Sequence, residues 1–280
     1  MAVNNSLARK KTSFSAVLKS DAYQNLINNT LKDKRRANNF IANISSAVAT
    51  NPALKECDPA TILSAGLTVE TLNLSLNTQL GQTYLVPFKD RKRGRTVAQF
   101  QIGYKGYIQL AIRSGYYKKL NVVAIKEGEL VNYDPLNEEI EVNLIEDEAE
   151  RENAKTVGYY AMFEYNNGFR KTAYWSKEKM EKHALKYSMG YRAKKGYTFW
   201  EKDFDAMGFK TMIRHLISKW GIMSTELQNA YVKDMGVIKE DNKVEYIDNQ
   251  EEETQEEQVD ENGEVKEEQE TKEQDFKGDF

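Results

Sequence analysis

The chain has 280 residues, 40% of them hydrophobic, enough to bury one sizeable core or two small ones. Its formal charge is −3 and its single cysteine, Cys57, excludes an internal disulfide framework. No run approaches the ~18 apolar residues of a membrane span, and the polar start MAVNNSLARKK lacks the apolar centre of a signal peptide, so the sequence reads as a soluble protein of the reducing cytoplasm.

The small net charge hides a division. From Glu240 to Phe280 there are 18 acids and 4 lysines, a net −14, while the other 239 residues carry +11. The body is basic and the tail acidic. Three segments follow: a polar N-terminal arm over 1–36 with room for one short helix, a core over 37–238, and a tail over 239–280. The tail is rich in Glu, Gln and Asp and almost free of large apolar side chains, so it cannot offset its ordering entropy and reads as disordered. Three roles are open to it: a solubilising appendage, a polyanion competing with nucleic acid for the body, or a docking tail.

In chain order, Phe40, Ile41, Ile44, Ala47 and Val48 recur at helical spacing, with a stop at Asn51-Pro52. Asp58-Pro59 supplies an N-cap and a first-turn proline for a second helix whose stripe is Ile62, Leu63, Gly66, Leu67 and Val69. The period then changes to two. QTYLVPFK and RTVAQFQI alternate apolar and polar residues around DRKRG, a hairpin with a basic tip. A short helix from Tyr104 to Arg113 follows, closed by Gly115, with Ile108, Ala111 and Ile112 as its buried stripe. Strands are expected at LNVVAIK and EIEVNLI, and TVGYYAMFEY and FRKTAYW form a hairpin through NNG. Ser176 caps a helix to Tyr187, a loop SMGYRAKKGYTF leads to one long helix WEKDFDAMGFKTMIRHLISKW, and a last helix spans Thr225 to Lys233. The order predicts an α+β domain of antiparallel hairpins in a meander packed with helices.

Enzyme signatures are scarce. His183 and His215 lie on different predicted helices, one cysteine cannot complete a zinc set, and neither a Walker loop nor a G-x-S-x-G elbow occurs. Asp203 and Asp205 are two apart on a predicted helix and do not share a face. No catalytic or metal residue is assigned.

The positive signal is electrostatic and aromatic. Lys89, Arg91, Lys92, Arg93, Arg95, Lys105, Arg113, Lys118 and Lys119 stand against one acid, Asp90. Lys105, Gln109 and Arg113 recur every fourth residue and form an outward stripe, with Tyr104 and Tyr107 beside its start. Glycines 103 and 106 would let an extended backbone approach. A second cluster runs from Lys186 to Lys219, with Lys186, Arg192, Lys194, Lys195, Lys202, Lys210, Arg214 and Lys219 against three acids, and its candidates are Arg192, Lys194, Lys195, Lys210 and Arg214. Solvated charge and core tyrosines are the plain reading of any one residue, but two such clusters suit single-stranded nucleic acid, with cations for phosphates and rings for bases.

LNTQLGQTYLVPF, VAQFQIGYKGYIQLAIRSG and WEKDFDAMGFKTMIRHLISKW, in that order, resemble the RecT family of phage recombinases, single-strand annealing proteins related to Red-beta. The resemblance runs from Ala37 to Tyr231. It implies a non-enzymatic DNA-binding protein that anneals complementary strands without ATP and holds the annealed duplex intermediate. It also implies a homo-oligomeric ring or helical filament, and a phage 5′-to-3′ exonuclease and the host single-strand-binding protein as partners. No cofactor is required on this reading, and magnesium is at most a modulator of DNA binding. A single-strand coat protein or RNA chaperone is the alternative, and a magnesium nuclease built on Asp203, Asp205 or the acids near Glu146 a third.

Overall fold

The computed structural model describes residues 13–91, 93–239 and 241–246, and they form a mixed α+β body with antiparallel sheets. Helices α1 (Phe14–Leu18), α2 (Asp21–Leu31), α3 (Lys34–Thr50) and α4 (Pro59–Thr71) come first, each started where a polar side chain or proline favours it. Asp33 accepts the Arg36 amide at 2.7 Å and Asp58 that of Ala60 at 3.1 Å, the expected N-cap geometry. The expected polar arm is partly core, because α1 and α2 bury Phe14, Leu18, Ile27 and Leu31. Spacing alone hid this, since apolar residues are sparse among the asparagines and lysines of 19–36.

The hairpin follows as β1 (Thr83–Asp90) and β2 (Arg95–Ile102), in register from Thr83 opposite Ile102 to Asp90 opposite Arg95. Asp90 builds the tip: its carboxylate takes the Arg93 amide at 3.1 Å and the Arg93 guanidinium at 3.0 Å, and Gly94 turns at φ +62°. The far edge of β2 is also occupied. Phe100 exchanges backbone hydrogen bonds with Gly236 and Met235, both at 2.9 Å, and Asp58 and Thr61 bind Thr96 and Ala98. With both edges and both faces covered, β2 is buried from Val97 to Ile102, so its alternation is lost in the interior.

Next come α5 (Tyr104–Arg113), the ten-residue β3 (Tyr117–Lys126), a small hairpin β4 (Leu130–Asp134) and β5 (Glu139–Val142), and α6 (Glu148–Asn153). β6 (Thr156–Tyr165) and β7 (Arg170–Ser176) pair through the NNG turn, and with β3 make a three-stranded sheet in the order β3-β6-β7. Then follow α7 (Lys177–Tyr187), α8 (Met189–Arg192), α9 (Phe199–Lys202), α10 (Phe204–Trp220), α11 (Thr225–Lys233) and a two-residue pair β8 (Val237–Ile238) and β9 (Val244–Glu245). The single long helix expected over 200–220 is broken at Asp203, which leaves the helical region at φ −152° and caps α10 by accepting the Ala206 amide at 2.9 Å. The expected disordered tail also begins too early: Val237 and Ile238 are buried and 241–246 fold back to pair with them. Residues 247–280 lie outside the described residues.

Two apolar clusters result, and α10 is the wall between them. Its Ile213 and Ile217 enter the cluster built from α1–α5, β1, β2 and α11; its Met212 and Leu216 enter the one under the three-stranded sheet. Adjacent i, i+4 stripes on one helix thus serve two cores. Beside the second cluster, His183 of α7 packs near Trp175 of β7, Tyr187, Trp200 of α9, and the cations Lys186 and Arg214. Burial, helped by Arg214 and His215, lowers its pKa to about 4. The unfolded chain then binds a proton below pH ~6.5 that the folded chain refuses. Stability is therefore expected to be full above that pH and to fall toward pH 4. Thermal melts from pH 7.5 to 5 check this: the melting temperature should drop by a few degrees, and His183→Gln should flatten the drop.

Candidate nucleic-acid interface

The structure sorts the candidate residues by what they already touch. Tyr107 is not on the surface. It is fully buried on the inner face of α5 with Gly106, Leu110 and Ala111, and its hydroxyl donates to Asp234 at 2.9 Å. The stripe read for that face was rotated: Ile112 is 56% exposed and Ile108 half-buried. Lys210 is also interior, 6% exposed, its ammonium 2.9 Å from Asp234. Arg214 lies 3.7 Å from the same carboxylate and over the Tyr231 ring at 4.4 Å. These three hold the core together and are not free for a ligand.

Three more cations are spoken for at the surface. Arg93 is forked onto Glu245 and bonded to Asp90, Arg95 bonds Asp58 at 2.6 Å, and Arg113 donates to the Leu72 and Asn73 carbonyls at 2.5 and 2.9 Å. Arg113 thereby satisfies carbonyls at the end of α4. Burial pushes the Asp90 carboxyl up, but hydrogen bonds and charge from Arg93 and Arg95 overcome this and hold it below the usual range.

The glycines of GYKG serve the fold. A Cβ on Gly103 would stand 2.2 Å from the Gly81 carbonyl oxygen, and one on Gly106 2.3 Å from that of Gln82. The backbone that approaches so closely is the chain's own, the turn at 78–82 packed on the start of α5. Lys105 and Gln109 remain exposed on the outer face, and Tyr104 is half-buried edge-on against Phe209 at 5.5 Å.

Arg192, Lys194 and Lys195 are exposed, on a knuckle that joins α8 to α9. Lys194 at φ +49° and Gly196 at φ +74° turn it, and Glu201, the nearest acid in sequence, is used internally: it accepts from Gly196 and Thr198 and closes a capping box. Tyr197 at the end of the knuckle is 66% exposed and Tyr187, the last residue of α7, 49%, two rings absent from the sequence-derived site. The interleaving of basic and aromatic residues over 186–197 is the signal that could have found them.

Two ring contacts tie the flanks of this surface to their neighbours, one from α9 to β1 and one from α10 to α5. Phe199, just past the knuckle, meets Tyr84 of β1 at 5.2 Å, and Phe209 meets Tyr104. From Tyr84 the strand runs five residues, about 17 Å, to Lys89, and Arg91 lies just past its end at the hairpin tip. Lys89, Arg91, Lys105, Arg192, Lys194 and Lys195 are exposed, and none forms an ion pair among the described residues. Lys92 lies outside them. A cation without a carboxylate partner can take a phosphate without first breaking a bond, and exposed tyrosines offer faces for unstacked bases.

The acids considered for magnesium have other work. Asp203 caps α10, and Asp205 accepts from Thr156 at 2.8 Å and from Tyr159 at 2.5 Å, with Lys177 at 3.4 Å. No cluster of three or more metal-ligating side chains occurs among the described residues, and no helix there is long and apolar enough to cross a membrane.

The model of the RecT family matches residues 38–261. The chain is similar to the uncharacterized protein YqaK of Bacillus subtilis (strain 168), 42% identical over 214 residues, 76% of this chain and 68% of that one. It is similar also to Protein RecT of Escherichia coli (strain K12), 32% identical over 186 residues, 65% of each chain. The chain thus spans about two thirds of the length of each relative.

Proposed function

The chain belongs to the RecT family, and from that premise we propose that it binds single-stranded DNA through phosphates and anneals complementary strands in phage-type recombination, without ATP. The observation that carries this reading is the set of unpaired cations on the knuckle, α5 and the hairpin tip beside exposed tyrosines. Cations fix the backbone without reading sequence. Exposed rings at the rim, rather than an enclosed aromatic clamp, leave bases available to a second strand. Assembly into a ring or filament, work beside a 5′-to-3′ exonuclease, and contact with a host single-strand-binding protein belong to the same reading.

Sequential addition of two complementary oligonucleotides tests it. Pairing on the protein adds base stacking while the phosphate contacts persist. The complex built strand by strand is expected to survive more salt than the single-strand complex, and more than a preformed duplex, whose rigid helix fits the surface poorly. A coat protein behaves oppositely, because stacking on its aromatics competes with pairing. Dissociation of the sequential and single-strand complexes at the same salt would make the coat protein the better reading.

A further inference from the structure

The body carries a strongly acidic projection that the DNA surface does not use. Between Glu127 and Asn153 there are 11 acids against one cation, Arg151, a net −10. Arg151 is spent on the buried Glu129, at 2.5 Å. Glu139 and Glu141 of β5, and Glu146, Glu148, Glu150 and Glu152 in and beside α6, are exposed, and none forms an ion pair among the described residues. The projection is apolar at its tip: Leu136, in the β4–β5 turn, is 91% exposed, and Val131 and Leu144 are exposed too. Large apolar side chains held in water beside unpaired acids mark a docking surface for a partner that is both apolar and basic.

A surface of that kind adjoins it. Tyr116, Phe169, Trp220 and Ile222 are all about half exposed, and the buried Tyr165 gathers them. Its ring stacks on Phe169 at 5.7 Å, and its hydroxyl donates to the Trp220 carbonyl at 3.2 Å and accepts the Ile222 amide; the amide of Asn166, the next residue, donates to the Tyr116 carbonyl at 3.2 Å. Lys118, Lys119, Arg170 and Lys219 are exposed at the margin of this patch, and one carboxylate, Glu164, serves the first two. Lys171 is the border between the two surfaces. Its ammonium sits 3.7 Å over the Trp220 ring and bonds Glu138, just past the hairpin turn.

We propose that these two surfaces join two copies of this chain in a two-fold pair, the β4–β5 hairpin of each copy seated on the Trp220 patch of the other. Charge complementarity sets the occupant, and adjacency sets the symmetry. An acidic and a basic surface that share a border exchange places under a two-fold rotation about that border, so each meets its complement and the contact closes at two copies. Leu136 of one copy then covers Trp220 and Ile222 of the other, which puts aromatic and aliphatic anchors at the centre and charges at the rim. Nucleic acid is the poorer occupant, because the unpaired carboxylates beside the patch repel phosphate. The pair uses none of the cations assigned above to phosphate.

Sedimentation equilibrium of the full chain without DNA tests it. The parent is expected to have the mass of two chains at micromolar concentration, and Leu136→Asp, at a side chain too exposed to support its own fold, the mass of one. Glu139→Lys with Glu141→Lys reverses one surface and Lys118→Glu with Lys119→Glu the other, and each double variant alone should also sediment as one chain. Mixed in equal amounts they should recover the mass of two, since both contacts are complementary again, a rescue that misfolding cannot imitate. A parent of single-chain mass, unchanged association in Leu136→Asp, or a mixture that stays single overturns the proposal. Mixed variants that grow beyond two chains overturn the two-fold in favour of a head-to-tail contact. A smaller salt slope for oligothymidylate in the Lys118→Glu, Lys119→Glu variant, with no change of mass, makes the patch a nucleic-acid site instead. Because pairing is read without DNA, its failure leaves the single-strand reading as it was.

Discussion

Asp234→Ala is expected to cost about 3–5 kcal/mol, the penalty for removing one partner of a buried charge pair, which is a large part of a domain's typical 5–15 kcal/mol. Asp234 is fully buried at the end of α11 and serves four donors. One carboxylate oxygen takes the Ile102 amide at 2.8 Å and Lys210 at 2.9 Å; the other takes the Tyr107 hydroxyl at 2.9 Å and faces Arg214 at 3.7 Å. It thus joins β2, α5, α10 and α11. Without it the Lys210 ammonium is left in the interior, where burial already pulls its pKa down against the opposing pull of Asp234. Lys210→Met is expected to cost less, because Arg214 still faces the carboxylate, and the double variant Asp234→Asn with Lys210→Met should recover part of the loss. Denaturant titration reads all three. The idea fails if Asp234→Ala melts within about 0.5 kcal/mol of the parent, the range of an ordinary surface change. Lys210→Met should also leave the salt dependence of DNA binding unchanged.

Lys210 shows why the fold was more legible than the site. Helices, hairpins and caps depend on residues a few positions apart, and Asp58, Pro59, Ser176 and the NNG turn announce them directly. Asp203 is the instructive failure: its capping role competes with a helical pattern that runs straight across it, and the pattern masked the break. Which cation is free depends on partners far away in sequence. Lys210 and Tyr107 share Asp234, Arg113 reaches the end of α4, and Arg93 reaches Glu245, a pairing 152 residues apart. No local window contains those partners, so charge clusters were read correctly as clusters and incorrectly as uniform surfaces. The glycines of GYKG misled for the same reason, since the backbone they admit belongs to the distant turn at 78–82. The knuckle was legible because its residues have no such partners: a short loop between two glycines, with its one nearby acid spent on a cap, can only present its cations outward.

The sorting makes a quantitative difference between two sets of positive charges. Changing Lys105, Arg192, Lys194 and Lys195 together to alanine is expected to leave the melting temperature near that of the parent, since all four are exposed and make no ion pair among the described residues. Single-strand binding should change greatly. Each lost phosphate contact lowers the slope of log affinity against log salt by about 0.7, so four contacts remove about 2.8 from it. Because the term grows as salt is diluted, affinity at 0.05 M salt should fall by more than about 10³-fold and the two proteins should converge near 1 M, whatever the base composition of the oligonucleotide. Arg113→Ala is the counterpart. It removes the donors to the Leu72 and Asn73 carbonyls, so it should lower the melting temperature while the slope stays at the parental value. Measuring both variants by fluorescence anisotropy over a salt series and by thermal melts decides the matter. If the slope moves with Arg113 and not with the other four, the phosphate-binding surface lies on the α4–α5 side of the molecule and the knuckle carries charge for solubility alone.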